Sequence, residues 1–153
     1  MRYYIIFMKG FTIEKTIVGR LEHVCISALQ LYDLDAKIDT GADSSSLHCD
    51  NIYIDENNNV HFTLLDAVHP AYNGKKFTFA LHKLKRVKSS NGTIQERPSI
   101  KTDITLLGKT YKATITLTNR ADMKYPMLIG RKFLANRYLV DVSTQYNDRQ
   151  KES

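Results

Sequence analysis

Asp39-Thr40-Gly41-Ala42 sets a carboxylate, a hydroxyl and two residues with little or no side chain in a row. The acid follows Ala36-Lys37-Ile38, so it falls where an apolar-leaning strand runs out into a loop. An aspartate there can activate water if a second carboxylate stands beside it. The pair then shares one proton, one member taking a proton from water while the other protonates the carbonyl oxygen. Thr40 can anchor such a loop through its hydroxyl. Gly41, lacking a Cβ, lets backbone amides come close to the carboxylate. The same tripeptide is also ordinary turn chemistry, so Asp39 alone decides nothing.

A second signal lies far downstream. Pro126-Met127-Leu128-Ile129-Gly130-Arg131 is an apolar run that ends in glycine and opens onto a short helical pattern. Alone it is a common strand–turn–helix; after Asp39-Thr40-Gly41, in a β-rich chain, the ordered pair is far less common. The other half of the dyad is missing. Asp50, Asp55, Asp66, Asp103 and Asp122 all lack a following hydroxyl–glycine pair. One chain therefore supplies half a site, and the chemistry requires a two-fold homodimer in which Asp39 meets its own copy.

The elements that must position these residues read as short strands. "TIVGRLEHVCI" and "DLDAKID" are rich in branched residues and bounded by turn formers. "NIYIDENNNVHFTLL" reads as two strands joined at Asn57-Asn58-Asn59, and "ITLLGKTYKATITLT" as two joined about Gly108-Lys109. A further hairpin is expected around Ser89-Ser90-Asn91-Gly92, between the aspartate loop and the late glycine. Only "GRKFLANRY" looks helical, for about two turns. Many short strands and one late helix indicate a barrel or sandwich. A chain of 153 residues with 42% apolar and 25% charged residues is one folded domain with a core of its own. The opening "MRYYIIFMKG" is too short in its apolar part for a signal peptide and lacks a small-residue cleavage site, so the chain is expected in the cytoplasm. No apolar run reaches membrane-spanning length, and Cys25 and Cys49 do not make a disulfide framework. The tail "NDRQKES" is expected to fray.

The net charge of +6 favours anionic partners. "HKLKRVK", residues 82–88, concentrates four cations and a histidine; it reads equally as an edge strand protected by charge or as a binding element. It has no interleaved aromatics for stacking bases, and Tyr72, Phe77 and Phe79 nearby read as core, so nucleic acid is a poor third choice. Arg97 and Arg120 are the best candidates to hold substrate carboxylates through planar guanidiniums. His48-Cys49 are adjacent and His23, His61, His69 and His82 scattered, with no H-E-x-x-H and no C-x-x-C, so no metal is expected. No phosphate-binding G-x-x-x-x-G-K-[ST] loop is present, so no nucleotide cofactor is expected either.

Five segments in order resemble a family of small bacterial retropepsin-like proteases, the RimB-like family, also called ATP-dependent zinc proteases. They are "VGRLEHV" (18–24), "AKIDTGADSSSLH" (36–48), "VKSSNGTIQERPSIKT" (87–102), "TLTNRADM" (116–123) and "MLIGRKFLANRYLVD" (127–141). The resemblance implies an all-β, closed acid-protease barrel over 16–142 with one short helix near the C-terminus. Residues 1–15 would be an N-terminal extension or strand and 143–153 a polar tail. It further implies catalytic Asp39 in a loop supported by Thr40, Gly41, Ala42, Asp43, Gly130 and Arg131. Asn91, Arg97 and Arg120 would face substrate, Asn91 on a flap hairpin. The implied activity is a homodimeric peptidase removing acidic, oligoglutamate tails alongside an ATP-grasp glutamate ligase, which would account for any use of ATP. Two positions depart from the family: Asp43 replaces a basic residue, and Tyr125-Pro126 replaces Phe-Arg. An acid at 43 resembles the retroviral enzymes and predicts an Asp43–Arg131 ion pair. The alternative is a binding or regulatory module that keeps fold and dimer but cleaves nothing.

Overall fold

The computed structural model describes residues 2–88, 91–120 and 123–149; Ser89 and Ser90 of the expected hairpin, Asp122 and the last residues of the tail lie outside these. Its strands are β1 (Tyr3–Met8), β2 (Phe11–Val18), β3 (Leu21–Ile26), β4 (Leu31–Ile38), β5 (Ser45–Ile54), β6 (Asn59–Leu64), β7 (Lys76–Ala80), β8 (Lys83–Lys88), β9 (Ile94–Leu106), β10 (Lys109–Thr118), β11 (Met127–Ile129) and β12 (Tyr138–Val140), with helix α1 (Arg131–Leu134) before the last.

Six strands, in the order β10-β9-β3-β4-β11-β5, close into a barrel when β5 pairs with β10 in parallel, from Ile115↔Ser45 to Thr118↔His48. Alternation supplies the interior: Ala113, Ile115 and Leu117 of β10 and Ile100, Ile104 and Leu106 of β9 point in and are buried, beside Leu47 and Cys49 of β5. Each fully buried branched side chain contributes about 1.5–3 kcal/mol. β6 and β7 extend the sheet beyond β5, where Phe77 and Phe79 pack with Phe62 as core, whereas Tyr72, expected in the core with them, is exposed in the loop before β7.

The expected hairpins form at the expected places. β5 and β6 are joined through Asn58 at φ 58°, while Asp55 accepts the amides of Asn57 and Asn59. β9 and β10 turn at Leu107-Gly108, both at positive φ, closing on the Leu106↔Lys109 pair. β8 and β9 pair from Lys83↔Ser99 to Lys88↔Ile94, so the basic run lies on a strand with one described partner. The N-terminal segment is a hairpin: β1 pairs with β2, and β2 pairs in parallel with β12.

Two expectations need correction. The helix after Gly130 spans four residues rather than two turns, because Ala135 leaves helical geometry and Asn136 takes a left-handed φ of 67°. The tail does not fray at Asn147. Residues Asn147–Arg149 form a 3-10 turn, and the Asn147 amide donates to the buried carboxylate of Glu22 at 2.8 Å. Glu22 also accepts the Gly19 amide at 2.7 Å, while burial pushes its carboxyl above the usual glutamate value. The segment crosses Gly19 so closely that a Cβ there would stand 2.5 Å from the Thr144 carbonyl oxygen. Among the described residues, no helix is long and apolar enough to cross a membrane.

Candidate active site

Asp39 leaves the end of β4 beside β11, with which β4 pairs in parallel from Ala36↔Met127 to Ile38↔Ile129. Its amide donates to the Ile129 carbonyl at 2.8 Å, continuing that ladder one residue into the loop. The Gly41 amide donates to Asp39 Oδ1 at 3.0 Å, and the Ala42 amide to the Asp39 carbonyl at 3.2 Å. A Cβ on Gly41 would lie 3.3 Å from the same carboxylate oxygen, tight enough to make the neighbour give way. The carboxylate is thus oriented by its own loop, as the Asp-Thr-Gly spacing suggested.

The late glycine holds this loop from behind. Gly130 donates its amide to Ser45 Oγ at 3.1 Å, and the Arg131 and Lys132 amides donate to the carbonyls of Ala42 and Asp43 at 2.8 and 3.0 Å. A Cβ at Gly130 would stand 2.6 Å from the Ser44 carbonyl oxygen and 3.0 Å from that of Ala42. Backbone lies on both sides of that contact, so only glycine fits without moving the loop. The Arg131 side chain reaches the same loop, Nη1 donating to the Thr40 carbonyl at 3.0 Å. The expected Asp43–Arg131 pair forms, but loosely, at 3.9 Å. Lys132 is the nearer partner at 3.2 Å, because helix α1 begins at Arg131, just past Gly130, and turns its second residue over Asp43.

A groove of about 350 Å³ opens from Ser44 and Ser45 toward β8. Lys83 and Lys85 of β8, Arg97 of β9, Lys112 of β10, Lys132 of α1 and Arg137 line it, and among the described residues no acidic one does. Arg137 is steadied there, its guanidinium 4.1 Å above the Tyr111 ring. His82 also lines the groove, and loss of water, then the charges of Lys101 and Lys83, hold it below the usual histidine value. Arg97 faces a second cavity of about 610 Å³ between β5 and β9 as well. Arg120 and Asn91 line neither cavity. Arg120 is exposed and gives its backbone amide to His48, and Asn91 is exposed at the hairpin tip, accepting the Thr93 amide at 3.1 Å. Sequence reasoning found Arg97 and the β8 cations. It noted Arg137 beside the family-like arginines without choosing it, and missed Lys112 and Lys132, which come from elements whose neighbourhood no local pattern announces.

It also missed His48. This residue of β5 is fully buried beside Asp66 and His69, the ligand atoms of the three lying within 4.8 Å of one another. Two imidazoles and a carboxylate suit a first-row divalent ion such as zinc, the metal in the family's alternative name. The hydrogen bonds fit that ion poorly. The Arg120 amide donates to His48 Nδ1 at 3.1 Å, so the ring proton sits on Nε2, which donates to Asp66 Oδ2 at 2.5 Å. A metal on Nε2 needs that proton gone and Nδ1 protonated, facing the Arg120 N–H head on.

Comparison with known proteins agrees with the barrel. A Legionella pneumophila protein of unknown function, Lpg0085, known from its crystal structure, superposes with a TM-score of 0.67 at 28% identity, over 88% of this chain and 98% of that one. Probable alpha-L-glutamate ligases of Shewanella halifaxensis and Shewanella pealeana are 34% and 33% identical over 137 residues, 87% of this chain. The chain spans 30% of the length of those relatives. The model of the RimB-like family, described as retropepsin-like aspartic endopeptidase RimB, matches residues 17–151, and the chain belongs to that family.

Proposed function

We propose that the protein is an aspartic peptidase that works as a homodimer on acidic peptides or protein tails, oligoglutamate among them. The observation that carries this is the Asp39 carboxylate, oriented by the Gly41 amide in a loop clamped by Gly130. Asp39 from each copy would share one proton. The ionised one takes a proton from water, whose oxygen attacks the peptide carbonyl carbon, while the protonated one gives its proton to the carbonyl oxygen. Collapse of the tetrahedral diol breaks the C–N bond: the proton taken from water passes to the leaving nitrogen, while a diol hydroxyl returns its proton to the other aspartate, leaving a carboxyl product and the shared proton restored. The all-basic groove beginning at Ser44 and Ser45 supports an anionic substrate, with Arg97 able to bind carboxylates bidentately. Arg120 and Asn91 would approach substrate from the loop before β11 and from the hairpin covering the site. The ligase names of the relatives support a role beside an enzyme that adds glutamate residues.

The second reading, a binding module that cleaves nothing, keeps the groove and the fold but not the use of Asp39. Incubation with an oligoglutamate peptide, read by mass spectrometry, separates the two. The parent protein should release shorter peptides. Asp39→Asn should lose roughly a thousandfold or more in turnover while its mass by sedimentation and its Tm stay unchanged. Peptide bound but uncut by the parent would leave the binding module.

A further inference from the structure

We infer that His48 is a positioning residue for the Asp39 site, locked as its Nε2–H tautomer by Asp66, and not a metal ligand. The positioning role rests on the function proposed above; the tautomer does not. Both ring nitrogens of a fully buried imidazole are committed, Nδ1 accepting from the Arg120 amide and Nε2 donating to Asp66. That hydrogen bond outweighs the opposing effect of burial and holds the Asp66 carboxyl below its usual range, as expected of a carboxylate that stays ionised opposite the donor. The His69 ring, 4.8 Å from the His48 ring, packs on the pair.

What the pair holds is the segment between β10 and β11. Asn119 donates to Asp50 Oδ1 at 3.3 Å, Arg120 to His48 Nδ1, and the His48 amide to the Pro126 carbonyl at 2.8 Å. β5 therefore grips both ends of the loop that carries Arg120 and leads into β11, whose Ile129 carbonyl holds the Asp39 amide. The middle of the three grips is the one that depends on a tautomer. Only the Nε2–H form leaves a lone pair on Nδ1, and only an ionised acceptor such as Asp66 makes that form the favoured one in a dry site. A histidine with a free choice of tautomer would hold the loop part of the time.

Nitrogen-15 NMR of the histidine side chains reads this directly. His48 should show the Nε2–H tautomer at neutral pH, unchanged by one equivalent of zinc. An Nδ1–H ring, or a one-to-one zinc complex that disappears in His69→Ala, would overturn the inference. Two variants then test the role. His48→Asn can place its amide oxygen near the Nδ1 position and keep the Arg120 bond, whereas His48→Gln reaches toward Asp66 instead. On an oligoglutamate peptide, His48→Gln should raise KM roughly tenfold with kcat within about twofold, and His48→Asn should stay near the parent. Equal losses in both variants, tracking a fall in Tm, would leave His48 a packing residue and refute the positioning role. If the parent cleaves nothing, the proposed peptidase falls, while the tautomer measurement still decides whether the latch exists.

Discussion

The aspartate loop and the basic groove share Ser44 and Ser45 but are built by opposite means. The loop is held by backbone: amides of residues 39, 41, 42, 130, 131 and 132 each have a stated acceptor, and Gly130 has no room for a methyl group. The groove is held by side-chain contacts alone. Its lysines and arginines are long and flexible and come from β8, β9, β10, α1 and the turn after it: Arg97 bonds Gln95, Lys132 pairs with Asp43, and Arg137 lies over Tyr111 and Phe133. A carboxylate that must meet its twin needs tenths of an ångström, which only close backbone packing provides. A diffuse anionic chain needs only summed positive potential, which mobile cations supply.

That contrast can be attacked from either side. Gly130→Ala should do the most damage: forcing a Cβ against two carbonyls costs about 1–3 kcal/mol, read by calorimetry as about 2–4 °C of Tm per kcal/mol. An unchanged Tm would mean the loop is not clamped. Lys83→Glu with Lys85→Glu should leave Tm nearly alone but raise KM for a glutamate peptide by about tenfold or more, while weakening the rise of KM with salt. A kcat effect instead would place the groove nearer the chemistry than its geometry indicates. Asp43→Asn should do least, below about 1 kcal/mol, because Asp43, Arg131 and Lys132 are all largely exposed. A larger loss in chemical denaturation would make the loose pair with Arg131 part of the clamp.

The loop was legible in the sequence because its parts are contiguous. Asp39 and the Gly41 amide that meets its carboxylate stand two positions apart, and Gly130 announces itself by the apolar run before it; Thr40 enters through its carbonyl, taken by Arg131, where the sequence suggested its hydroxyl. The hairpins were legible for the same reason, since Asn58 and Gly108 name their own turns. Whatever depends on a meeting across the fold was not. Lys132 and Arg137 join Lys83 only once α1 lies beside β8 and β10. His48 and Asp66 stand 18 residues apart with no shared pattern between them. Nothing in the strand pattern singles out Glu22, although its buried carboxylate accepts the amide of Asn147, the first residue of the stretch expected to fray. The helix was overread because its pattern continues to Tyr138 while the backbone has already turned at Asn136.

The clip at Gly19 and Glu22 bears on how this domain can be joined to others. Tyr3 pairs with Thr16, and the Asn147 side chain reaches the Ile17 carbonyl. Tyr3 and Asn147 thus lie at one pole, beside two neighbouring residues of β2. A barrel whose two ends of chain meet at one pole can be pulled on at both without a load crossing its sheet.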